Sequence, residues 1–370
     1  MAENTRKRKS DHIRIATTHD IQAKNVTTGF EDIHLIHRAL PEVSREEIEL
    51  STSVFGHKFS APIIVNAITG GTPEAEDINA TIATAVERLG LGMGVGSQRA
   101  ALEDKNLERT FSVVRKKAPT AFLIANIGGI QLARGYTVND AKKAIDMIDA
   151  DALAIHLNPL QEAVQPEGET NFKGVLDKIG EIAGQIDKPV IVKETGAGIS
   201  AEEAERLEEA GVKGIDVSGA GGTSFAAVEH FRAEEAKNKN QRKLGEVFWD
   251  WGIPTAISLI EVAQTVKIPV IASGGIRTGI EAAKALALGA SLVGLAQPIL
   301  KAAVKGVDET EATITLLAEE LRNTMFLVGA GNMQQIRLAP VVVTGKVADW
   351  LRARGFNIEC YARRSLKHGC

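Results

Sequence analysis

From residue 62 onward, short apolar runs alternate with longer stretches in which apolar residues recur every three or four positions. The runs are rich in Val, Ile, Leu and Ala, which is typical of strands buried on both faces. The stretches between them have the period of amphipathic helices, predicted over 75–89, 106–117, 138–148 and 201–210. Eight strands are predicted, at 62–67, 92–97, 121–126, 152–157, 189–195, 214–218, 269–273 and 291–297.

This alternation predicts a parallel sheet whose strands are each followed by a covering helix. Eight repeats favour a closed (β/α)8 TIM barrel over an open, doubly wound sheet. No G-x-G-x-x-G pattern follows a strand to open a helix, and no Walker A pattern occurs. We therefore predict an α/β protein of one domain, with a barrel over 61–330, an N-terminal extension over 1–60 and a C-terminal extension over 331–370.

Two segments depart from the alternation. Residues 1–60 show no sustained period, and we expect them to be irregular. More than thirty residues separate the sixth strand from a helix beginning near Pro254, and they include a charged tract over 229–246. Long connections on a compact domain are often lids, whereas a charged tract is also typical of a solvated face. Both interpretations stay open.

Composition restricts the class of partner. The chain has 370 residues, 44% hydrophobic and 24% charged, with a formal net charge of −4, values typical of a soluble globular protein. A negative net charge argues against nucleic acid or a membrane surface as partner, and the basic run 6–9 is interpreted as a solvated tail. With no bilayer-length apolar run and no signal segment, we expect a cytoplasmic protein. Cys360 and Cys370 have no CxxC spacing, which predicts neither a zinc site nor a disulfide.

The clearest candidate for ligand binding follows the seventh predicted strand, where the sequence reads Ser-Gly-Gly-Ile-Arg-Thr over 273–278. Paired glycines allow a close backbone approach, and the start of a helix attracts anions. Arg277 adds a charged fork that suits a phosphate. Phosphate sites after the last two strands recur in (β/α)8 barrels. An ordinary strand–turn–helix corner with an exposed arginine is the alternative.

Polar residues also end the other strands, and in a barrel these positions surround the active site. Any one of them could be a cap or turn residue. That all eight strands should carry such residues at the same end by accident is much less expected. The strand-end residues are Asn66, Thr69, Ser97, Arg99, Asn126, His156, Asn158, Gln161, Glu162, Lys193, Thr195, Ser218, Thr223, residues 273–277, Ala296 and Gln297.

Lys193 ends an otherwise apolar strand, and a buried lysine is costly without an anionic partner. Glu194 should face the other side of the strand, so a bound anion explains Lys193 best; a lysine reaching the barrel rim is the alternative. After the fourth strand, His156 to Glu162 supply an imidazole, two amides and a carboxylate. One carboxylate together with phosphate oxygens is a common way to hold Mg²⁺.

Together these residues resemble one family. The motifs are Arg8-Lys-Ser-Asp-His12, Ile68-Thr-Gly-Gly71, Gly96-Ser-Gln-Arg99, His156-Leu-Asn-Pro-Leu-Gln-Glu162, Lys193-Glu-Thr195 and Ser273-Gly-Gly-Ile-Arg277. The chain resembles the type 2, FMN-dependent isopentenyl-diphosphate isomerases over almost its whole length. The resemblance implies FMN, active in its reduced form, Mg²⁺ on a small diphosphate substrate, NADPH as reductant and a homo-oligomer, a tetramer or octamer. Whether Arg8 and Lys9 complete their own site or a neighbour's stays open.

The resemblance also implies roles for individual residues. Lys193, Gln161 and His156 are the implied catalytic residues, and Glu162 is the implied Mg²⁺ ligand. The implied substrate-binding residues are Arg8, Lys9, His12, Ser97, Arg99, His156, Asn158 and Gln161. The implied FMN-binding residues are Ala67, Ile68, Thr69, Ser97, Asn126, Lys193, Ser218, Thr223, Gly274, Gly275, Ile276, Arg277, Ala296 and Gln297.

The hypothesis that follows is a 1,3-allylic proton shift between isopentenyl and dimethylallyl diphosphate, in which reduced FMN acts as acid and base at N5. Lys193 near N1 and O2 of the ring would stabilise its anionic form. His156 would bind the diphosphate, and Gln161 would help to place the proton.

Three rival functions make different demands on the sequence. A flavin-dependent 2-hydroxy-acid oxidase needs a histidine base after the sixth strand, where this chain has Val217-Ser-Gly-Ala-Gly-Gly-Thr223. An enzyme resembling inosine-monophosphate dehydrogenase needs a cysteine nucleophile in a mid-chain loop, and both cysteines lie beyond residue 359. A barrel that only binds a phosphate ligand explains Arg277 but not the convergence of Arg99, His156 and Lys193.

Overall fold

The computed structural model describes residues 2–365, with side chains described from residue 8 onward. All eight predicted strands are present and form a closed barrel, so the predicted fold is confirmed. Every pairing between neighbouring barrel strands is parallel, and the eighth strand pairs with the first. The barrel strands, in order, are Ile63–Val65, Gly92–Gly94, Phe122–Gly128, Ala152–His156, Val190–Lys193, Gly214–Asp216, Val270–Ser273 and Leu292–Leu295.

Helices cover the outside of the barrel. The predicted helix at 138–148 is found with those bounds, and that at 201–210 ends one residue earlier. That at 75–89 begins two residues earlier, and that at 106–117 begins three residues later, after a short 3-10 turn. The helices of the barrel region are Pro73–Leu89, Arg99–Glu103, Arg109–Lys117, Gly129–Ala133, Val138–Ile148, Pro159–Val164, Val175–Gln185, Ala201–Glu209, Thr255–Thr265, Gly279–Ala287, Gln297–Ala303 and Val307–Leu327.

The expectation that residues 1–60 are irregular is wrong for the first part of the extension. Residues Ala2–Thr18 form a helix. Its few apolar residues are buried: Ile13 joins the main core, and Ile15 packs with Ile21 and Trp249. The helix therefore depends on tertiary packing, which a window of polar residues does not reveal.

A second part of the extension closes the opposite end of the barrel. Strands Thr52–Val54 and His57–Phe59 form a hairpin, and the ring of Phe59 packs edge-to-face on Phe122 at the start of the third strand, 5.5 Å between centroids. Gly214, at the start of the sixth strand, has no side chain and so leaves room for the ring of Phe55. The N-terminal end of the barrel is thus filled with apolar side chains.

The C-terminal extension is tied to the N-terminal one. Strand Val341–Val343 pairs antiparallel with Ile33–Leu35, and helices Met333–Leu338, Gly345–Ala353 and Glu359–Arg363 complete the segment. Cys370 lies outside the described residues.

The long connection after the sixth strand contains two helices, Phe225–Glu235 and Lys239–Val247, which pack on each other. The first of them contacts the N-terminal helix Ala2–Thr18. Trp249, which follows the pair, is buried and donates from Nε1 to the carbonyl of Gln22 at 2.9 Å. The connection is thus folded against the N-terminal extension. Between residues 2 and 365, no helix is both long and apolar enough to cross a membrane.

Candidate active site

One cavity of about 250 Å³ opens at the carboxyl ends of the barrel strands. Its wall combines strand ends, the loops that follow them and the N-terminal helix. The sequence-predicted residues on this wall are Arg8, Lys9, His12, Ala67, Ile68, Thr69, Ser97, Arg99, Asn126, His156, Asn158, Gln161, Glu162, Lys193, Thr195, Ser218, Thr223, Ser273, Gly274, Gly275, Arg277, Ala296 and Gln297. Ile276 is the exception among the predicted site residues, because its side chain is buried in the hydrophobic core.

Behind the cavity wall, a set of polar side chains surrounds the buried carboxylate of Asp216. Asp216 lies on the sixth strand in register with Lys193 on the fifth. Its carboxylate accepts hydrogen bonds from Ser273 Oγ at 2.5 Å and from Asn66 Nδ2 at 2.8 Å. Burial raises the pKa of Asp216, whereas Lys193 and the two bonds favour its charged form. Gly294 leaves the space that the side chain of Asn66 occupies.

Asp216 changes the interpretation of Lys193. The sequence argument attributed the buried lysine to a bound anion, but the protein itself places a carboxylate beside it. Lys193 also donates to the backbone carbonyl of Glu194. The Glu194 carboxylate faces away, as expected, and accepts from the backbone N–H groups of residues 195–197. Burial raises the pKa of Glu194 to about 7.

His156 is neutral and oriented by Asn126. Its Nδ1 lies 2.8 Å from Asn126 Oδ1. Since Asn126 Nδ2 donates to the carbonyl of Val95 at 3.0 Å, Oδ1 is the acceptor and the proton lies on His156 Nδ1. Burial, with Lys193 and Lys9 nearby, lowers the pKa of His156 to about 3. The imidazole on the cavity wall is therefore uncharged.

The double glycine after the seventh strand is required by loop packing. Gly274 and Gly275 have φ of 102° and 78°, a region that favours glycine. A Cβ on Gly274 would collide with the backbone of Gly219, and a Cβ on Gly275 would lie too close to Gly222. The close approach is thus between the loops after the sixth and seventh strands. Ser218, which begins the first of these loops, also has a positive φ of 39°.

Arg277 lies on the wall at this end of the cavity, with its side chain partly exposed. Its Nη2 donates to Gln22 Oε1 at 3.1 Å, and partial desolvation by the surrounding protein lowers the pKa of Arg277. Within the described ranges, no carboxylate lies at ion-pair distance from its guanidinium. The helix Gly279–Ala287 begins with a capping box in which Glu281 accepts the backbone N–H groups of Arg277 and Thr278. The arginine side chain, rather than those N–H groups, is therefore what an anion would meet.

Gln22 connects the N-terminal extension to this end of the cavity. Besides accepting from Arg277, it donates from Nε2 to Gln297 Oε1 at 2.6 Å. Gln297 in turn donates to the carbonyl of Ala16 at 3.2 Å. The extension thus covers the two residues predicted to lie at the phosphate end.

At the other end, the N-terminal helix brings Lys9 into the cavity of its own barrel. Lys9 Nζ donates to the carbonyl of Ser97 at 2.7 Å. The lysine passes close to Gly71, where φ is 88° and a Cβ would lie 3.1 Å from Nζ. Burial, together with Arg8 and Arg99, lowers the pKa of Lys9 to about 7. Three basic side chains therefore meet here beside one carboxylate, Glu103, which pairs with Arg99 at 2.8 Å. An anionic ligand would relieve the repulsion that remains.

His12 lies one turn further along the same helix, where its Nε2 is 2.9 Å from Glu229 Oε1. Glu229 is fully buried and also accepts from Arg232 at 2.6 Å. Although burial acts in the opposite direction, the bonds with His12 and Arg232 hold the pKa of Glu229 below its ordinary value. This contact joins the N-terminal helix to the helix Phe225–Glu235.

Glu162 lies beside the basic end and is surrounded by amides. Its Oε1 accepts from Asn158 Nδ2 at 3.0 Å. Its Oε2 accepts from Gln165 Nε2 at 2.7 Å and from the backbone N–H of Glu169 at 2.8 Å. No group of three or more His, Cys, Asp or Glu residues suited to a metal occurs in the described part of the chain. A cation here would rely on one carboxylate and a ligand's own oxygens.

Sequence reasoning missed Asp216, Gln22 and Gln165 as parts of the site. Asp216 carried a signal, since an aspartate inside an apolar strand needs a partner. Gln165 is buried near Glu162 but follows the recognised motif. Gln22 gave no signal, because its partners lie 255 and 275 residues away.

The closed barrel and its cavity can be compared with known proteins. The family model described as FMN-dependent dehydrogenase matches residues 1–123 and 136–342 of this chain. The chain therefore belongs to the FMN-dependent dehydrogenase family. Several curated relatives are much more similar in sequence to the chain than membership of this broad family demands. These relatives all have the same name.

The relatives are isopentenyl-diphosphate delta-isomerases. The chain is 50% identical to the one from Methanosarcina barkeri over 362 residues, 98% of each chain. It is 49% identical to the one from Methanothermobacter thermautotrophicus, covering 97% of this chain and 99% of the relative, and 48% identical to the one from Pyrococcus abyssi, covering 99% and 100%. The resemblance found in the motifs is confirmed, and within the larger family the chain groups with these isomerases.

Solved structures support the fold alone. A mandelate oxidase mutant with a monooxide FMN adduct has a TM-score of 0.59 and 22% identity, covering 90% of this chain and 93% of that one. A lactate oxidase, called putative, from Pediococcus acidilactici has a TM-score of 0.63 and 20% identity, covering 93% and 94%. At such identities the likeness extends to the barrel and no further.

Proposed function

We propose that the protein is an FMN-dependent isopentenyl-diphosphate isomerase, which interconverts isopentenyl and dimethylallyl diphosphate by a 1,3-allylic proton shift. The observation that carries this function is a single cavity with two separate basic ends. Arg277 follows the seventh strand, whereas Arg99 follows the second, three strands away around the barrel. One basic end suits the phosphate of FMN and the other suits a diphosphate. The relatives' shared name supports the substrate.

The residues present fit a bound FMN. Arg277 is a cation on the cavity wall with no carboxylate of the described residues at ion-pair distance, although Glu281 lies near enough to act on it, and a phosphate would pair with it. Reduced FMN, when bound, supplies the acid and base chemistry of the proton shift. Lys193, in register with Asp216 on the neighbouring strand, would help to hold the flavin and would favour its anionic reduced form.

The residues also fit Mg²⁺. Glu162 is a buried carboxylate on the cavity wall, and the amide oxygens of Asn158 and Gln165 next to it have no partner within the described part of the chain. Glu162 would hold the ion, which supplies positive charge to the substrate's diphosphate. Arg8, Lys9 and Arg99 would bind that diphosphate, and His12 would keep the N-terminal helix in place through Glu229.

Two further side chains are proposed to contact the substrate. Because the proton of uncharged His156 lies on Nδ1 and is donated to Asn126, its Nε2 would accept a hydrogen bond from a protonated oxygen of the diphosphate. Gln161 lies on the cavity wall between Asn158 and Glu162, and it is proposed to help to place the proton. NADPH as reductant, a tetramer or octamer and a cytoplasmic location complete the proposal, and they rest on the resemblance.

The test is to incubate purified protein with isopentenyl diphosphate, FMN, Mg²⁺ and a reductant. We expect dimethylallyl diphosphate only when the flavin is reduced, and no net consumption of reductant per product. Equal product without reduction would contradict the flavin's proposed role. Oxidation of a 2-hydroxy acid in place of isomerisation would favour the oxidase, although residues 217–223 contain no histidine base.

A simpler observation separates this function from a barrel that only binds phosphate. Purified protein should be yellow and should lose its visible absorbance with dithionite. Colourless protein that takes up no added FMN would contradict the proposal.

A further inference from the structure

Gln165 is bound to the carboxylate of Glu162 but was not part of any recognised motif. It is buried, lies on the cavity wall and donates from Nε2 to Glu162 Oε2 at 2.7 Å. Asn158 makes the corresponding bond to Oε1 at 3.0 Å. Two amides thus hold one carboxylate from both sides, which determines the direction in which it points.

The two amides share an unusual feature. Both donate their NH₂ groups to Glu162, and the carbonyl oxygens of both, Asn158 Oδ1 and Gln165 Oε1, are buried without a partner among the residues that the structure describes. Buried polar atoms are nearly always hydrogen-bonded, so two unsatisfied acceptors around one carboxylate indicate a ligand that brings donors. A hydrated divalent cation brings them, because Mg²⁺ keeps several of its water molecules in protein sites.

The segment after Gln165 is held tightly. The N–H of Gly168 donates to the carbonyl of Gln165 at 3.1 Å, and a side chain at position 168 would collide with the carbonyl of Glu162. The next residue, Glu169, forms an ion pair with Arg134 at 2.5 Å. Together with the bond from the N–H of Glu169 to Glu162 Oε2, these contacts hold Gln165 next to the carboxylate.

We propose that Gln165 is a positioning residue for the metal ion: it holds Glu162 with its amide group and offers its carbonyl oxygen to a water molecule on hydrated Mg²⁺. The inference rests on the proposed function, because it takes from it that a divalent cation binds at Glu162. It adds a residue outside the recognised motif and a reason why one carboxylate suffices. Partners behind a metal ligand commonly change metal affinity about 10- to 100-fold when they are removed.

The experiment measures Mn²⁺ binding by electron paramagnetic resonance to the FMN-loaded, oxidised protein in the presence of inorganic pyrophosphate. We expect Gln165→Met to weaken Mn²⁺ binding about 10- to 100-fold, with FMN affinity unchanged. Gln264→Met is the matched control, since Gln264 also donates from its amide, to the carbonyl of Asn357, but is absent from the cavity wall. Mn²⁺ affinity of Gln165→Met within about threefold of wild type would overturn the proposal.

A double-mutant cycle separates positioning from a general structural role. If Gln165 acts through Glu162, then Gln165→Met should change Mn²⁺ affinity less than about threefold in a Glu162→Gln background. An equal loss in both backgrounds would contradict the proposal. If Gln165→Met does not yield folded, FMN-loaded protein, Gln165→Asn replaces it, and unchanged Mn²⁺ affinity in that variant would also overturn the proposal. Because no turnover is measured, the result is independent of the isomerase assay.

Discussion

The two ends of the cavity are built by different means. The end proposed for FMN consists of strand ends and the turns after them, with Asp216 and Lys193 on neighbouring strands and Gly274 packed on the adjoining loop. The end proposed for the diphosphate combines Arg99, which follows the second strand, with the N-terminal helix and the residues after the fourth strand. The first end is positioned by the sheet itself, and the second by hydrogen bonds and ion pairs between segments distant in sequence.

This difference determines which substitutions each end of the cavity can tolerate. A side chain on a buried strand has neighbours that cannot move without disturbing the barrel, so its loss leaves a gap or an unpaired charge. The N-terminal helix is held by Ile13, Ile15 and the His12–Glu229 contact. We therefore expect substitutions at the barrel end to change stability and flavin affinity together, and those at the helix to change substrate affinity alone.

The largest effect is expected for Lys193→Ala. Removing the cation takes away a nearby charge that favours the ionised form of buried Asp216, which should lower the free energy of unfolding by about 1 kcal/mol. Loss of the charge beside the reduced ring should lower isomerase activity about 100- to 1,000-fold and weaken FMN binding. Chemical unfolding, a product assay and flavin fluorescence measure the three quantities.

Two further variants separate the effect of Lys193→Ala on stability from its effect on activity. Lys188→Ala removes an exposed lysine just before the same strand and should change none of these quantities by more than experimental error. Lys193→Ala combined with Asp216→Asn should recover most of the stability and none of the activity. A fully active Lys193→Ala protein would contradict the role proposed for Lys193.

The same difference explains what could be predicted from the sequence. The barrel end follows from local signals, because each strand is an apolar run and its last polar residue points into the site. The eight strands and the convergence of Asn126, His156 and Lys193 on one cavity were therefore predictable. The requirement for Gly274 and Gly275 was also visible, and the structure gives it a cause that the sequence did not show, the packing of two loops.

The other end depends on contacts between residues far apart in the chain. The helix Ala2–Thr18 is mostly polar, and its stability comes from burying Ile13 and Ile15 against distant segments. The bond between Gln22 and Gln297 likewise has no local signature. Hydrophobic periodicity reports on a segment's own buried face, so it does not reveal a helix that is held by a few anchoring side chains.

A smaller effect, confined to the diphosphate end, is expected from the titration of Lys9. Its pKa of about 7 without ligand should rise when a diphosphate binds, because the anion favours the charged form. Binding at pH 8.5 should therefore take up close to one proton, and this uptake should disappear in Lys9→Met. Calorimetry in buffers of different ionisation enthalpy measures it, with Lys9→Met also expected to weaken diphosphate binding about tenfold.

The same shift predicts how stability depends on pH. The pKa of Lys9 is lower in the folded protein than its ordinary value of 10.5, so the unfolded chain binds more protons between pH 7 and 10.5. The ligand-free protein should gain stability from Lys9 as pH rises through this range, and lose that gain as pH falls toward 7. Lys9→Met should lack this component. Proton uptake that persists in Lys9→Met would assign the titration to another group.

The smallest effect is expected for Gln22→Leu, which removes a contact between the N-terminal extension and the barrel end of the cavity. Gln22 belongs to the N-terminal extension, but its amide holds Arg277 and Gln297 at the barrel end. Losing these neutral hydrogen bonds should weaken FMN binding about two- to tenfold, measured by flavin fluorescence, and leave pyrophosphate binding unchanged. Gln241→Leu, on the exposed helix Lys239–Val247, is the matched control. If Gln22→Leu weakens pyrophosphate binding as much as FMN binding, the two ends are coupled through the extension, and the separation of cofactor and substrate sites fails.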